Sequence, residues 1–128
     1  MTNESLTRIE NLLWPHGFRR DVWMIVDAAR DASIFGMLLD CFYSQHWCLF
    51  SGSLSPELTV VAPYLIQLDY DDQKTRRFIR RAWGNSWGVF LKCDTRLDTL
   101  RRHLRRFLVV RDPQGSQLMF RYYDPRVL

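Results

Sequence analysis

Cysteine and glycine are scarce in this chain, and each scarcity removes a class of protein. The three cysteines, Cys41, Cys48 and Cys93, are odd in number and share no short paired spacing. That argues against a disulfide framework and for reduced thiols packed as small hydrophobes. Cys41, His46 and Cys48 are metal-ligand types, but no zinc-knuckle spacing joins them, so no metal is expected. The six glycines form no phosphate cradle with a following lysine, and Gly84 to Gly88 is set among Trp83 and Trp87 where a phosphate loop needs bare backbone. No nucleotide or other cofactor is expected. Apolar runs fall short of the roughly 18 residues of a membrane helix, and Glu4, Arg8 and Glu10 interrupt the N-terminus where a signal peptide needs an apolar core. The expectation is a cytoplasmic chain without a membrane partner.

Catalytic constellations are missing as well. Gly52-Ser53-Leu54-Ser55-Pro56 lacks the second glycine of a nucleophile elbow. His16 and His46 fall in loops, and His103 belongs to an arginine-rich helix face. No catalytic residue is assigned, and the chain is not expected to be an enzyme.

What the chain has is arginine and apolar residues. At 128 residues and 47% hydrophobic content it is long enough for one domain that buries about two thirds of its unfolded surface. Sixteen of its eighteen cationic residues are arginine, whose planar fork suits carboxylates, phosphates and aromatic faces. The charge is segregated. Twelve lysines and arginines lie between Lys74 and Arg111 against only Asp94 and Asp98, so that stretch carries +10 and the remainder −6.

The most informative stretch runs from Leu97 to Leu128. Leu97, Leu100, Leu104, Phe107 and Leu108 recur at helical spacing, with Arg102, Arg105 and Arg106 on the other side. Thr95 and Asp98 have the spacing of a capping box. After Phe107 the period becomes extended: residues 108–111 and 118–123 read as two strands joined by the turn residues Asp112-Pro113-Gln114-Gly115. In that hairpin Leu118, Phe120 and Tyr122 share an apolar row, whereas Arg121 and Tyr123 share the other.

Upstream, residues 4–14 form a short helix with Leu6, Ile9 and Leu13 on one face, ended by Pro15 and Gly17. Residues 22–26 are an unbroken apolar run, the mark of a central strand covered on both faces. Ser33 caps a helix carrying Phe35, Leu38, Leu39 and Phe42. Residues 47–50 form a second strand, a polar loop passes Pro56, and the hydrogen-bonded part of a third strand begins after Pro63, at Tyr64 to Leu68, or lies at a sheet edge. Asp69 to Asp72 start a helix in which Phe78, Ile79, Ala82 and Trp83 alternate with Arg76, Arg77, Arg80 and Arg81. A glycine-punctuated turn, Trp83 to Gly88, leads into a strand over 89–93. The predicted fold is therefore α/β: a single domain with a mixed β-sheet, parallel or mixed in its middle, flanking helices and a C-terminal β-hairpin. Residues 1–20 form an N-terminal helical cover and 21–128 the body.

Three stretches taken in order, Val26-Asp27-Ala28-Ala29-Arg30-Asp31, Trp83-Gly84-Asn85-Ser86-Trp87-Gly88-Val89-Phe90-Leu91 and Arg101 through the terminal Tyr123-Asp124-Pro125-Arg126-Val127-Leu128, resemble the effector adaptor chaperones of bacterial type VI secretion. That family was first catalogued as a domain of unknown function. The resemblance spans Val22 to the last residue. It implies a non-enzymatic chaperone that holds a secreted toxin effector in the cytoplasm and loads it onto the valine-glycine-repeat spike protein through protein–protein interaction. Members commonly continue into a variable C-terminal lobe, and nothing follows Leu128 in this sequence, as expected either of a short member or of a piece of a longer one. The candidate partner-binding residues are Trp83, Trp87, Arg121, Tyr123, Asp124 and Arg126, aromatic and arginine anchors of the kind that dominate interfaces. Their structural alternative is core packing and internal ion pairs, for Trp87 and for Asp27 and Asp124 in particular. The rival function is nucleic-acid binding through the rows Arg76, Arg77, Arg80, Arg81 and Arg101, Arg102, Arg105, Arg106, and it is disfavoured because two solvated helix faces account for the same residues.

Overall fold

The unbroken run Val22–Asp27 forms β1, and both of its faces are buried. In the computed structural model, which describes residues 3–14, 22–50, 52–106, 109–111 and 117–119 (residues 3–6 and the last two segments as backbone only), it lies inside a four-stranded sheet. The other strands are β2 (His46–Cys48), β3 (Pro63–Gln67) and β4 (Gly88–Lys92), in the order β2-β3-β1-β4. The two-residue period of β1 divides the core. Val22, Met24 and Val26 face a cluster containing Ile9, Leu38, Phe42, Phe78 and Ile79, while Trp23 and Ile25 face Leu49, Leu65, Leu100 and Leu104. Helices α1 (Asn3–Leu13), α2 (Ile34–Cys41) and α4 (Gln73–Ala82) supply the first cluster, and α5 (Leu97–Arg105) the second. The molecule is a single α/β domain with helices on both faces of its sheet.

The direction of the strands corrects the sequence expectation. Every described pairing is antiparallel: β1 with β3, β1 with β4 and β2 with β3. Because β2 and β1 both run opposite to β3, β1 and β2 are parallel to each other, as a strand-helix-strand unit requires, but β3 sits between them. An unbroken apolar run reports two covered faces and carries no information on the sense of its neighbours. Pro63 occupies the first position of β3, where its missing amide proton breaks no ladder, and its carbonyl accepts from the Leu49 amide at 3.0 Å.

Local chemistry explains most boundaries. Asp72 caps α4 by accepting from the Lys74 amide at 2.8 Å. Ser33 stands at the cap position of α2 without capping it; its amide and hydroxyl both donate to the Asp31 carboxylate. The buried stripe of α2 is Ile34, Leu38 and Cys41, continued by Phe42, so the predicted period holds but is rotated away from Leu39. The capping box expected at Thr95 and Asp98 does not form. The helix starts at Leu97 with Arg96 at the cap, which shifts Asp98 out of register, and its carboxylate takes the Thr99 amide at 3.0 Å. The stretch expected to be polar loop contains a short helix, α3 (Pro56–Thr59), with Ser55 accepting from the Leu58 amide and Pro56 pre-set for the first turn.

The C-terminal hairpin is present as β5 (Val109–Arg111) and β6 (Gln117–Met119), paired antiparallel in a sheet of its own. Its turn, Phe107, Leu108 and the contrasted rows Phe120, Tyr122 and Arg121, Tyr123 lie outside the described residues.

Candidate functional site

Two of the three stretches singled out in the sequence meet at one end of the sheet. β1 ends at Asp27, a residue 1% exposed, whose carboxylate accepts from the Ala29 amide at 3.1 Å, capping the 3-10 turn Ala28–Arg30. This buried acid has a structural job. Its own amide donates to the Trp87 carbonyl at 2.7 Å, which ties the first stretch to the second.

The second stretch is shaped by its glycines. Gly84, with φ +82°, turns the chain out of α4, and Ser86 also lies in the left-handed region at φ +57°, at a cost of about 1 kcal/mol for a residue with a Cβ. Asn85 steadies the turn by donating from its side-chain amide to the Arg81 carbonyl at 2.7 Å. Gly88 serves a different need. A Cβ there would come within 1.8 Å of the Ile25 carbonyl oxygen, so only glycine lets β4 lie this close to β1.

This turn separates the two tryptophans. Trp87 points inward, 4% exposed, with its ring edge-on to Phe78 at 5.6 Å. It is core, and its assignment as a partner anchor is corrected, because the extended entry into β4 directs it onto the α4 side of the sheet. Trp83 is 39% exposed and rests against Phe90 with ring centroids 5.4 Å apart. Around it lies a recess of about 270 Å3 walled by Ala82, Ser86, Phe90 and the turn glycines. On the other side of Trp87 a second recess, about 330 Å3, is lined by Arg30, Asp31, Arg81 and Asn85. Bonds from the Ser33 amide and hydroxyl hold the Asp31 carboxyl below its ordinary pKa. An exposed indole on the turn and a polar recess lined by Arg30 and Arg81 thus both border the stretch Trp83 to Gly88. Arg121, Tyr123, Asp124 and Arg126, the other proposed anchors, lie outside the described residues.

The family model described as Domain of unknown function (DUF4123) matches residues 22–128. The chain belongs to this family. The match begins at the first residue of β1, and it takes in both stretches that build the turn. Among curated proteins and solved structures none matches the chain.

Among the described residues the arginine rows separate into members with internal partners and members without. Arg76 Nε lies 3.2 Å from the Glu10 carboxylate, and its guanidinium stacks 4.7 Å from the Tyr70 ring centroid. Arg77 donates to Asp40 at 2.6 Å. Across the sheet, Arg101 and Arg105 both donate to the Cys48 carbonyl, and Arg105 also to that of Phe50. No sequence signal marked those bonds, since they join residues more than 50 positions apart. Arg80, Arg81, Arg102 and Arg106 remain exposed.

The metal-ligand types serve other ends. Cys41 is buried and Cys48 and Cys93 are half-buried. The His46 ring donates from Nδ1 to the Phe42 carbonyl at 2.7 Å. Among the described residues no group of three or more histidine, cysteine or acidic side chains is placed to hold a metal ion, and no hydrogen bond joins Ser53 to His46. Among the same residues no helix is long and apolar enough to cross a membrane.

Proposed function

We propose that this protein is a non-enzymatic adaptor of bacterial type VI secretion, which binds a toxin effector in the cytoplasm and delivers it to the valine-glycine-repeat spike protein. The observation that carries the reading is the exposed Trp83, held by a glycine turn against Phe90 within the family's span. A large indole fixed in place beside arginines loses little side-chain freedom on binding, which is why such residues dominate protein interfaces. The rival, nucleic-acid binding, needs arginines aligned along a phosphate track. Four of the eight in question already bond within the fold, and the two rows lie on opposite faces of the sheet.

The test is affinity capture of the tagged protein from the cytoplasm of its native bacterium, followed by mass spectrometry. Recovery of a toxin and a spike protein is the expected outcome. Recovery of nucleic acid alone, with micromolar affinity at physiological salt and a steep salt dependence, would replace the adaptor reading by its rival.

A further inference from the structure

A second surface lies on the other face of the sheet and at its opposite edge, where α5 crosses the end of β2. Its groove, about 340 Å3, is lined by Trp47, Leu97, Asp98, Arg101, Arg102 and Arg105. Arg101 donates to the Cys48 carbonyl from Nε at 3.2 Å and from Nη2 at 2.9 Å, while Arg105 Nη2 reaches the same oxygen at 3.1 Å and that of Phe50 at 3.1 Å. Two guanidiniums therefore stand side by side on one acceptor. A carbonyl oxygen carries only a partial charge, so it positions them without neutralising them. Among the described residues neither has a carboxylate within ion-pair distance, and the one acid of the groove, Asp98, lies 3.8 Å from exposed Arg96. Burial and the neighbouring Arg105 both lower the Arg101 pKa from its ordinary value, the direction expected of an uncompensated cationic pair. Exposed Arg102 adds a third charge at the rim, and half-buried Trp47 adds an aromatic wall.

We propose that this groove binds an acidic peptide segment of a partner protein, its carboxylates meeting Arg101, Arg102 and Arg105 and an adjoining apolar side chain meeting Trp47. The unused N–H groups of the fixed guanidiniums match a carboxylate in geometry and charge. A polypeptide is favoured over nucleic acid because the three arginines form a compact cluster beside an indole, with no cationic row continuing from it across the sheet among the described residues. The proposal concerns a surface separate from the Trp83 turn and stands independently of the adaptor reading.

Fluorescence anisotropy of a fluorescein-labelled peptide, eight glutamates around one central phenylalanine, tests it on the intact protein. Comparison probes are the same peptide with lysines and a twelve-nucleotide single-stranded DNA. Arg101 and Arg105 also hold the fold together, so the informative variant is Arg102→Glu at an exposed site, with Arg80→Glu on α4 as an equal change of net charge on the other face. The glutamate peptide is expected to bind, more tightly than the DNA and without competition from the lysine peptide. Arg102→Glu should weaken it at least tenfold and Arg80→Glu less than twofold. Absence of binding, tighter binding of DNA, or equal losses in the two variants would each overturn the proposal.

Discussion

The two edges of the four-stranded sheet are finished in opposite ways. At β2, α5 sends Arg101 and Arg105 across to the Cys48 carbonyl at the end of the strand, and Arg105 also to the Phe50 carbonyl just beyond it, so side chains occupy acceptors that an added strand would need there. At β4, no strand pairs with the outer side among the described residues, and the turn that leads into it displays Trp83. An edge with unpaired backbone groups is either protected or used. Here side chains from a helix protect one edge, and a glycine turn presents the other.

The largest effect that can break this contrast is expected at Gly88. Alanine there would place a methyl group against the Ile25 carbonyl, forcing β4 from β1 at a cost of about 3 kcal/mol. Urea unfolding should show a lowered midpoint, since about 3 kcal/mol is a large share of the roughly 5 to 15 kcal/mol that holds a domain folded. A midpoint equal to that of the unaltered protein would mean that β4 does not lie this close.

Removing the protection of the other edge should cost less. The double change Arg101→Ala with Arg105→Ala leaves the Cys48 and Phe50 carbonyls without these donors, for about 1 to 3 kcal/mol. It also exposes strand edge, so light scattering should grow with time at high protein concentration. Unchanged stability together with unchanged scattering would show that solvent serves these carbonyls as well as arginine does.

A smaller effect sharpens the same edge. Tyr64, paired with Cys48 across β3 and β2, donates its hydroxyl to the Thr59 carbonyl at 2.6 Å, and burial pushes its pKa up to about 12. The folded state therefore holds this proton more tightly than the unfolded state, whose pKa is near 10. The contribution is complete below about pH 10 and is lost as pH rises towards about 12. Tyr64→Phe should remove this part of the alkaline decline in melting temperature and leave the neutral-pH slope alone. An identical alkaline decline in the variant would contradict it.

Much of this architecture is legible in the sequence where cause and effect are neighbours. The unbroken apolar run of β1 announces two covered faces, Asp72 sits next to the amide it caps, and the glycines after Trp83 mark a turn that needs them at Gly84 and Gly88. The family resemblance likewise rests on short local stretches and agrees with the matched span. What the sequence conceals is long-range. Helical periodicity places Arg76, Arg77, Arg101 and Arg105 on faces, but it is silent on what lies across from them. The first two meet carboxylates of α1 and α2, and the last two meet carbonyls at the end of an edge strand and just beyond it. Strand sense is hidden for the same reason, because the chain order β1, α2, β2 does not reveal that β3 returns between them. Trp83 and Trp87 are four residues apart, and the left-handed residues between them together with the extended entry into β4 decide which indole is buried.

If Trp83 presents the docking surface of an adaptor, as proposed, Trp83→Ala separates binding from folding when one preparation is both melted and used for affinity capture from the native cytoplasm. The side chain is 39% exposed, so the variant should melt within about 5 °C of the unaltered protein. It should also lose the toxin and spike proteins that the unaltered protein recovers. A variant that melts normally and still recovers both at full yield would contradict the account, and the partner surface would have to be sought away from this turn.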